Sequence, residues 1–249
     1  MAWCRDKRDH PDKPPSPDKL SPTSDAASLC RAASQGNVAR LRHQLLRLGG
    51  NIAVHLAKPD GTSALHAAAT AGCYDCCSLL IDFNANVNAV DVYGTAPLAL
   101  ACRAGHTSVV RRLLSQKADV NHQSFLGASA LMRACSSTSD AHEACVLMLL
   151  QACANMSLSK GHSGETALFE ACRIGNLAAT SLLLNCGAPA DQPLSSSPLV
   201  TACSHGHVDC ATALLNAGAS VDLPCTNAST PLSAAAGASA LSCLRLLIE

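Results

Sequence analysis

Residues 203–210 read Cys203-Ser204-His205-Gly206-His207-Val208-Asp209-Cys210. Two thiols and two imidazoles packed this closely are the ligand types that zinc prefers. The segment is either a metal site or one copy of a pattern that runs through the whole chain. Which of the two it is decides the fold.

The pattern exists. A leucine in a short helix-opening turn recurs at Leu29, Leu65, Leu98, Leu131, Leu168, Leu199 and Leu232, with separations of 36, 33, 33, 37, 31 and 33 residues. Other positions keep step with it. Seven residues later stand Gly36, Gly72, Gly105, Gly175 and Gly206, and four residues earlier Gly61, Gly94, Gly127 and Gly164. An apolar pair follows five of these leucines at fifteen and sixteen residues: Leu80-Ile81, Leu113-Leu114, Leu183-Leu184, Leu214-Leu215 and Leu247-Ile248. In the fourth unit the pair slips to Leu149-Leu150, which marks an insertion of three residues around Ser137-Thr138-Ser139.

Each unit has a physical reading. The glycine before the leucine suits a tight turn that needs positive φ. A short helix follows, as in Ala96 to Arg103, with Pro97 tolerated in its first turn. The later glycine ends that helix. A second helix, such as Ser108 to Gln116, carries Val109, Val110, Leu113 and Leu114 at helical spacing. No unit buries its apolar face alone, so neighbours must stack. The fold class expected is all-α, a solenoid of stacked helix-turn-helix units joined by tight turns and loops. It occupies residues 25–249 as about seven units, the first degenerate and the last truncated.

The stretches Gly61-Thr62-Ser63-Ala64-Leu65-His66-Ala67-Ala68, Asp91-Val92-Tyr93-Gly94-Thr95-Ala96-Pro97-Leu98 and Ala217-Gly218-Ala219-Ser220-Val221-Asp222 resemble the ankyrin-repeat family. The family's Thr-Pro-Leu-His tetrapeptide is never intact here. Units offer Ser-Ala-Leu-His, Ala-Pro-Leu-Ala and Thr-Pro-Leu-Ser instead, and the sixth unit is short near Gln192-Pro193, so an irregular hairpin is expected there. The resemblance implies a non-catalytic scaffold that grips other proteins on the face made by hairpin tips and first helices.

The repeat also resolves the opening segment. Cys102, Cys135, Cys172 and Cys203 share one repeat position, and Cys76, Cys210 and Cys243 another, which Cys145 joins after the insertion. Other units place alanine or valine there, so these are small-residue packing sites. His207 recurs as His106 beside the helix-ending glycine. A zinc site would need core-facing Cys203 and Cys210 to converge with turn histidines, and no metal or other cofactor is expected. Within Cys73-Tyr74-Asp75-Cys76-Cys77 only Cys73 takes an exposed position, which leaves a thiol-based redox sensor as one alternative function. His66 is expected to hydrogen-bond between adjacent loops.

Composition narrows the function classes. Lys+Arg and Asp+Glu balance at 18 each, so no global basic field holds nucleic acid, and aromatics at 2% leave few stacking platforms. No apolar run of about 18 residues is present, so no membrane span is expected. Fifteen cysteines behind a start that lacks an apolar leader point to reduced thiols in the cytoplasm or nucleus. No phosphate loop, nucleophile elbow or paired carboxylates appear, so neither catalysis nor a small-molecule substrate is expected. Residues 1–24 mix charges with prolines and read as a disordered tail. Ser16-Pro17 and Ser21-Pro22 there have the form of proline-directed phosphorylation sites, and Lys13 to Pro17 that of a short polyproline ligand.

By repeat phase the partner-binding residues are Val92, Tyr93, Arg103, Phe125, Leu126, His162, Glu165, Arg173, Ile174 and His205. Tyr93 and Phe125, two of six aromatics in the chain, fall at hairpin tips beside arginines, and these are residue types enriched in binding hot spots. The alternative is that Phe125 and Leu126 only cover the neighbouring hairpin. The sequence stops within the second helix of the seventh unit, at Leu244 to Glu249, which implies either a longer chain or a covered end. Some ankyrin arrays with Ala-Cys in the first helix and Cys in the second precede a suppressor-of-cytokine-signalling box. A substrate receptor for a ubiquitin ligase, its adaptor-binding box missing from this sequence, is therefore the other alternative function.

Overall fold

Side-chain caps and glycines cut this chain into short helices, and the computed structural model, which describes residues 22–191, 197–223, 225 and 228–248, shows where. The helices come in pairs. They are α1 (Pro22–Ser34) and α2 (Val38–Arg47), α3 (Ala64–Ala71) and α4 (Tyr74–Asp82), α5 (Pro97–Ala104) and α6 (Thr107–Ser115), and α7 (Ala130–Ala134) and α8 (Asp140–Gln151). The array continues with α9 (Ala167–Ile174) and α10 (Leu177–Asn185), α11 (Pro198–Ser204) and α12 (Val208–Asn216), and α13 (Pro231–Gly237) and α14 (Leu241–Ile248). Odd-numbered helices pack in one row and even-numbered helices in a second row behind it.

The ends of each helix follow from the sequence. The Ser63, Ser129 and Thr166 hydroxyls accept from the backbone N–H of His66, Met132 and Phe169, capping α3, α7 and α9. Gly72, Gly105 and Gly175 close α3, α5 and α9 in the left-handed region. A Cβ added at Gly105 would lie 2.9 Å from the His142 ring, so the helix-ending glycine also makes room for the next unit. α1 starts at Pro22, three residues before the Asp25 boundary expected from composition. Proline is at home in a first turn, which is why the helix runs further back than charge alone suggests. Ser16, Ser21 and the rest of the tail lie outside the described residues, as do Gln192 to Ser196 of the sixth hairpin.

The core is the stack of phased positions. Leu29, Leu65, Leu98, Leu131, Leu168 and Leu199 are at most 1% exposed, whereas Leu232 is 44% exposed. Among the described residues no further helix packs on the outer side of α13, so the seventh leucine is not buried like the other six. Cys76, Cys102, Cys135, Cys145, Cys172, Cys203, Cys210 and Cys243 are all buried in the same core. Burial pushes the Cys135 and Cys203 thiols up to about 12. The insertion of the fourth unit shortens α7 and lengthens α8, and the amide of Asn176 donates to the Ser137 carbonyl to hold the added loop.

Between pairs the chain makes hairpin turns. Antiparallel bridges join Ala57 to Ser63, Gln123 to Ser129 and Lys160 to Glu165, and no longer strand forms among the described residues. Between the third and fourth units the hairpin residues Asp91, Tyr93 and Leu126 line one groove with Arg103 of α5 and Arg133 of α7.

Candidate functional site

The hairpin tips are built by their own side chains. Asp91 Oδ1 accepts the N–H of Tyr93 at 2.9 Å and of Thr95 at 2.8 Å, and the Asp91 N–H donates to the Thr95 carbonyl at 3.2 Å. These bonds close the turn around Gly94, whose φ is +70°. Successive tips are then tied together. The Val92 N–H donates to the Asp60 carbonyl and the Phe125 N–H to the Tyr93 carbonyl, each at 3.0 Å. A Cβ at Gly94 would stand 2.8 Å from the Phe125 ring and 2.9 Å from its backbone nitrogen, so only glycine allows the two tips to approach this closely.

His66 ties a first helix to the next hairpin, as its place in the repeat implied. Its Nε2–H donates to the Thr95 carbonyl at 3.0 Å, while Nδ1 accepts from the Ser63 N–H at 3.2 Å. Burial holds its pKa below the ordinary imidazole value, and the Thr95 carbonyl opposes that only in part.

The expected binding residues divide into three groups in space. Tyr93, Arg103 and Leu126 line one open groove of about 350 Å³ between the third and fourth units, together with Asp91, Leu100 and Arg133. Tyr93 is 68% exposed, Phe125 77% and Leu126 76%. Phe125 lies against Gly94 of the adjoining tip, and Val92 of that tip is exposed. Phe125 thus does cover part of the neighbouring hairpin while leaving most of its ring to solvent.

Glu165 and Arg173 belong to a second group. Lys160 pairs with Glu165 at 3.1 Å and also with Glu170, and Arg173 reaches Glu170 Oε2 from Nε at 3.0 Å and from Nη2 at 2.7 Å. Glu170 is buried on α9, which by itself would raise its pKa. The hydrogen bonds and charges of Lys160 and Arg173 outweigh that and hold the carboxyl below its ordinary value. Arg173 is therefore committed to its own unit, with Ile174 half-buried next to it. His162 falls in a single 3₁₀ turn, Gly161–Ser163, and its side chain lies outside the described set.

His205 stands apart on the end of α11. Its ring stacks on His207 with centroids 5.9 Å apart, and Nδ1 donates to the Thr201 carbonyl at 2.9 Å. Cys203 and Cys210 point into the core behind it. The four residues of the opening segment do not converge, and among the described residues no group of three or more His, Cys, Asp or Glu is arranged to hold a metal ion. In the Cys73-x-x-Cys76 stretch Cys73 is half-buried, and its sulfur accepts the Cys76 N–H at 3.3 Å as a helix cap. Among the described residues the exposed thiols are instead Cys153 and Cys186.

Asp91, Leu100 and Arg133 also line the groove and lie outside the set expected from repeat phase. Arg133 follows Leu131 by two positions, where the third unit has Leu100 and the fifth Glu170. Leu100 and Arg133 share one repeat phase and both line this groove, so their common spacing from Leu98 and Leu131 is the signal in the sequence.

The comparisons with known proteins follow the same geometry. The family model described as ankyrin repeats (3 copies) matches residues 29–124, 131–224 and 189–249. The crystal structure of the human ASB11 ankyrin repeat domain is similar over 88% of this chain and 96% of that one, with 28% identity and a TM-score of 0.77. The ankyrin repeat domain of Bcl-3, described as a unique member of the IkappaB protein family, is similar over 89% and 98%, with 24% identity and a TM-score of 0.73, a likeness of fold. No curated protein sequence matches the chain significantly.

Proposed function

The chain belongs to the ankyrin-repeat family, and from that premise we propose that it is a non-catalytic scaffold that binds partner proteins through the face made by its hairpin tips and odd-numbered helices. The observation that carries this reading is the row of solvent-exposed Val92, Tyr93, Phe125 and Leu126 on hydrogen-bonded, tightly spaced tips. Large apolar side chains held rigidly in water are the ordinary makings of a protein-binding hot spot. Their rigidity lowers the ordering cost of association.

The test is affinity capture under reducing conditions with the wild-type chain and with a Tyr93→Ala/Phe125→Ala double variant. Partners retained by wild type and lost by the variant, with an unchanged melting temperature, support the reading. Equal capture by both would remove this face from consideration.

A second reading, a substrate receptor for a ubiquitin ligase, draws on the buried Ala-Cys pattern of the first helices and the buried Cys of the second. Co-purification of the full-length protein with elongin-type adaptors is its test, and their absence from a full-length preparation argues against it.

A further inference from the structure

Arg103 and Arg133 line the same groove, and among the described residues neither guanidinium forms an ion pair. The carboxylate on the groove wall, Asp91, turns its Oδ1 into its own hairpin and is engaged by two backbone N–H groups there. Arg133 is half-buried, so its charge has lost part of its hydration without gaining a counter-ion. Arg103 is exposed at the end of α5, and its carbonyl is pinned by the Nε2–H of His142 from the next unit at 3.0 Å. Both cations are thus presented from anchored helices, beside the apolar surfaces of Tyr93, Leu100 and Leu126.

The fifth unit differs in an instructive way. Arg173 follows Leu168 by five residues, as Arg103 follows Leu98, yet Arg173 is neutralised by Glu170. In the third unit the position of Glu170 is taken by Leu100. The array therefore leaves its groove cations without an ion pair at the junction of the third and fourth units and quenches the charge equivalent to Arg103 two units further on, in the fifth unit.

We infer that this groove takes an extended acidic segment of a partner protein, with an Asp or Glu carboxylate facing Arg103 and Arg133 and a neighbouring large apolar side chain against Tyr93 and Leu126. The guanidinium fork matches a carboxylate with two parallel hydrogen bonds, and the apolar wall gives the flanking residue somewhere to go. The inference rests on the protein-binding reading above and narrows it to one ligand chemistry.

A random-peptide phage library panned against the full chain tests it, followed by fluorescence anisotropy of the dominant peptide. The enriched sequences are expected to place Asp or Glu beside an aromatic or aliphatic residue. Changing that acid to its amide in the peptide lowers affinity at least about tenfold, the worth of one charge-assisted contact. Arg103→Gln and Arg133→Gln lower it similarly for the acidic peptide but not further for the amide peptide, and Arg173→Gln leaves it unchanged. The peptide-side exchange decides the matter even where an arginine variant fails to fold.

Acid-free peptides that depend on Tyr93 but not on either arginine would overturn the acidic ligand while leaving the protein-binding face standing. Peptides indifferent to Tyr93→Ala, Leu126→Ala and both arginine variants would overturn both. Tighter binding when phosphoserine replaces the acid would reassign the groove to phosphorylated segments, and an empty selection also counts against the inference.

Discussion

Leu98→Ala and Leu232→Ala remove the same atoms from the same repeat position, so their difference measures what stacking contributes. Leu98 is 1% exposed and is covered by units on both sides, whereas Leu232 is 44% exposed. Leu→Ala deletes roughly three methylene equivalents, worth about 0.8 kcal/mol each when fully buried, or about 2.4 kcal/mol in transfer alone. At Leu98 an enclosed cavity adds to this, which brings the expected cost to about 3–5 kcal/mol. At Leu232 only a little over half of the side chain is out of water and the gap opens to solvent, so about 1.3 kcal/mol is expected. The assay is urea unfolding of the 249-residue chain followed by far-UV circular dichroism. The Leu98 variant should also split the transition, because a weakened junction in a linear stack uncouples the units on either side. Equal costs for the two variants would refute the claim that stability here comes from neighbour-on-neighbour burial.

Three other outcomes follow from named groups. His66 has a folded pKa below its unfolded value near 6.5, so the stability it contributes is present above that value and is lost as pH falls below it. The destabilisation caused by His66→Ala should accordingly be larger at about pH 7.5 than at about pH 5.5, and a cost that does not change with pH would contradict the neutral, Nε2-protonated ring. Glu170 behaves with the same sign in a lower window. Its carboxyl titrates below the ordinary value of 4.5, so the cost of Glu170→Gln should hold from neutral pH down to that region and shrink beneath it. Removing this carboxylate leaves Lys160 and Arg173 facing each other, at a cost of about 1–3 kcal/mol because both cations still reach water. Of the described thiols, iodoacetamide with read-out by mass spectrometry should modify Cys153 and Cys186 first and spare Cys135 and Cys203 in the folded chain. A thiol at about 12 is thiolate to only about one part in 10⁵ at neutral pH. Early labelling of the core cysteines would mean that the stack opens far more readily than its burial implies.

What could be read from the sequence is what every unit repeats. The leucine phase, the helix-ending glycines and the cysteines that alternate with alanine are under the same packing constraint in each copy, so their spacing discloses their role. The exposed Tyr93, Phe125 and Leu126 were also legible, because a hairpin tip leaves a side chain little to pack on besides the adjacent tip. The remainder depends on pairs of positions. Arg103 and Arg173 are equivalent by phase, and nothing in their own spacing separates them. The distinction comes from the residue three positions before each, Leu100 in one unit and Glu170 in the other, and from Lys160, which reaches Glu170 across the hairpin. Cys153 and Cys186 escaped for a related reason. Each follows a second helix, outside the two cysteine positions of the core, where the turn faces solvent. Packing in a repeat protein is thus specified one position at a time and recurs, while charge is specified by combinations that occur once. That asymmetry is why the proposed acidic-segment groove falls at the junction where Leu100 and Arg133 stand together, since a leucine at the first position and a cation at the second leave Arg103 and Arg133 without an ion pair among the described residues.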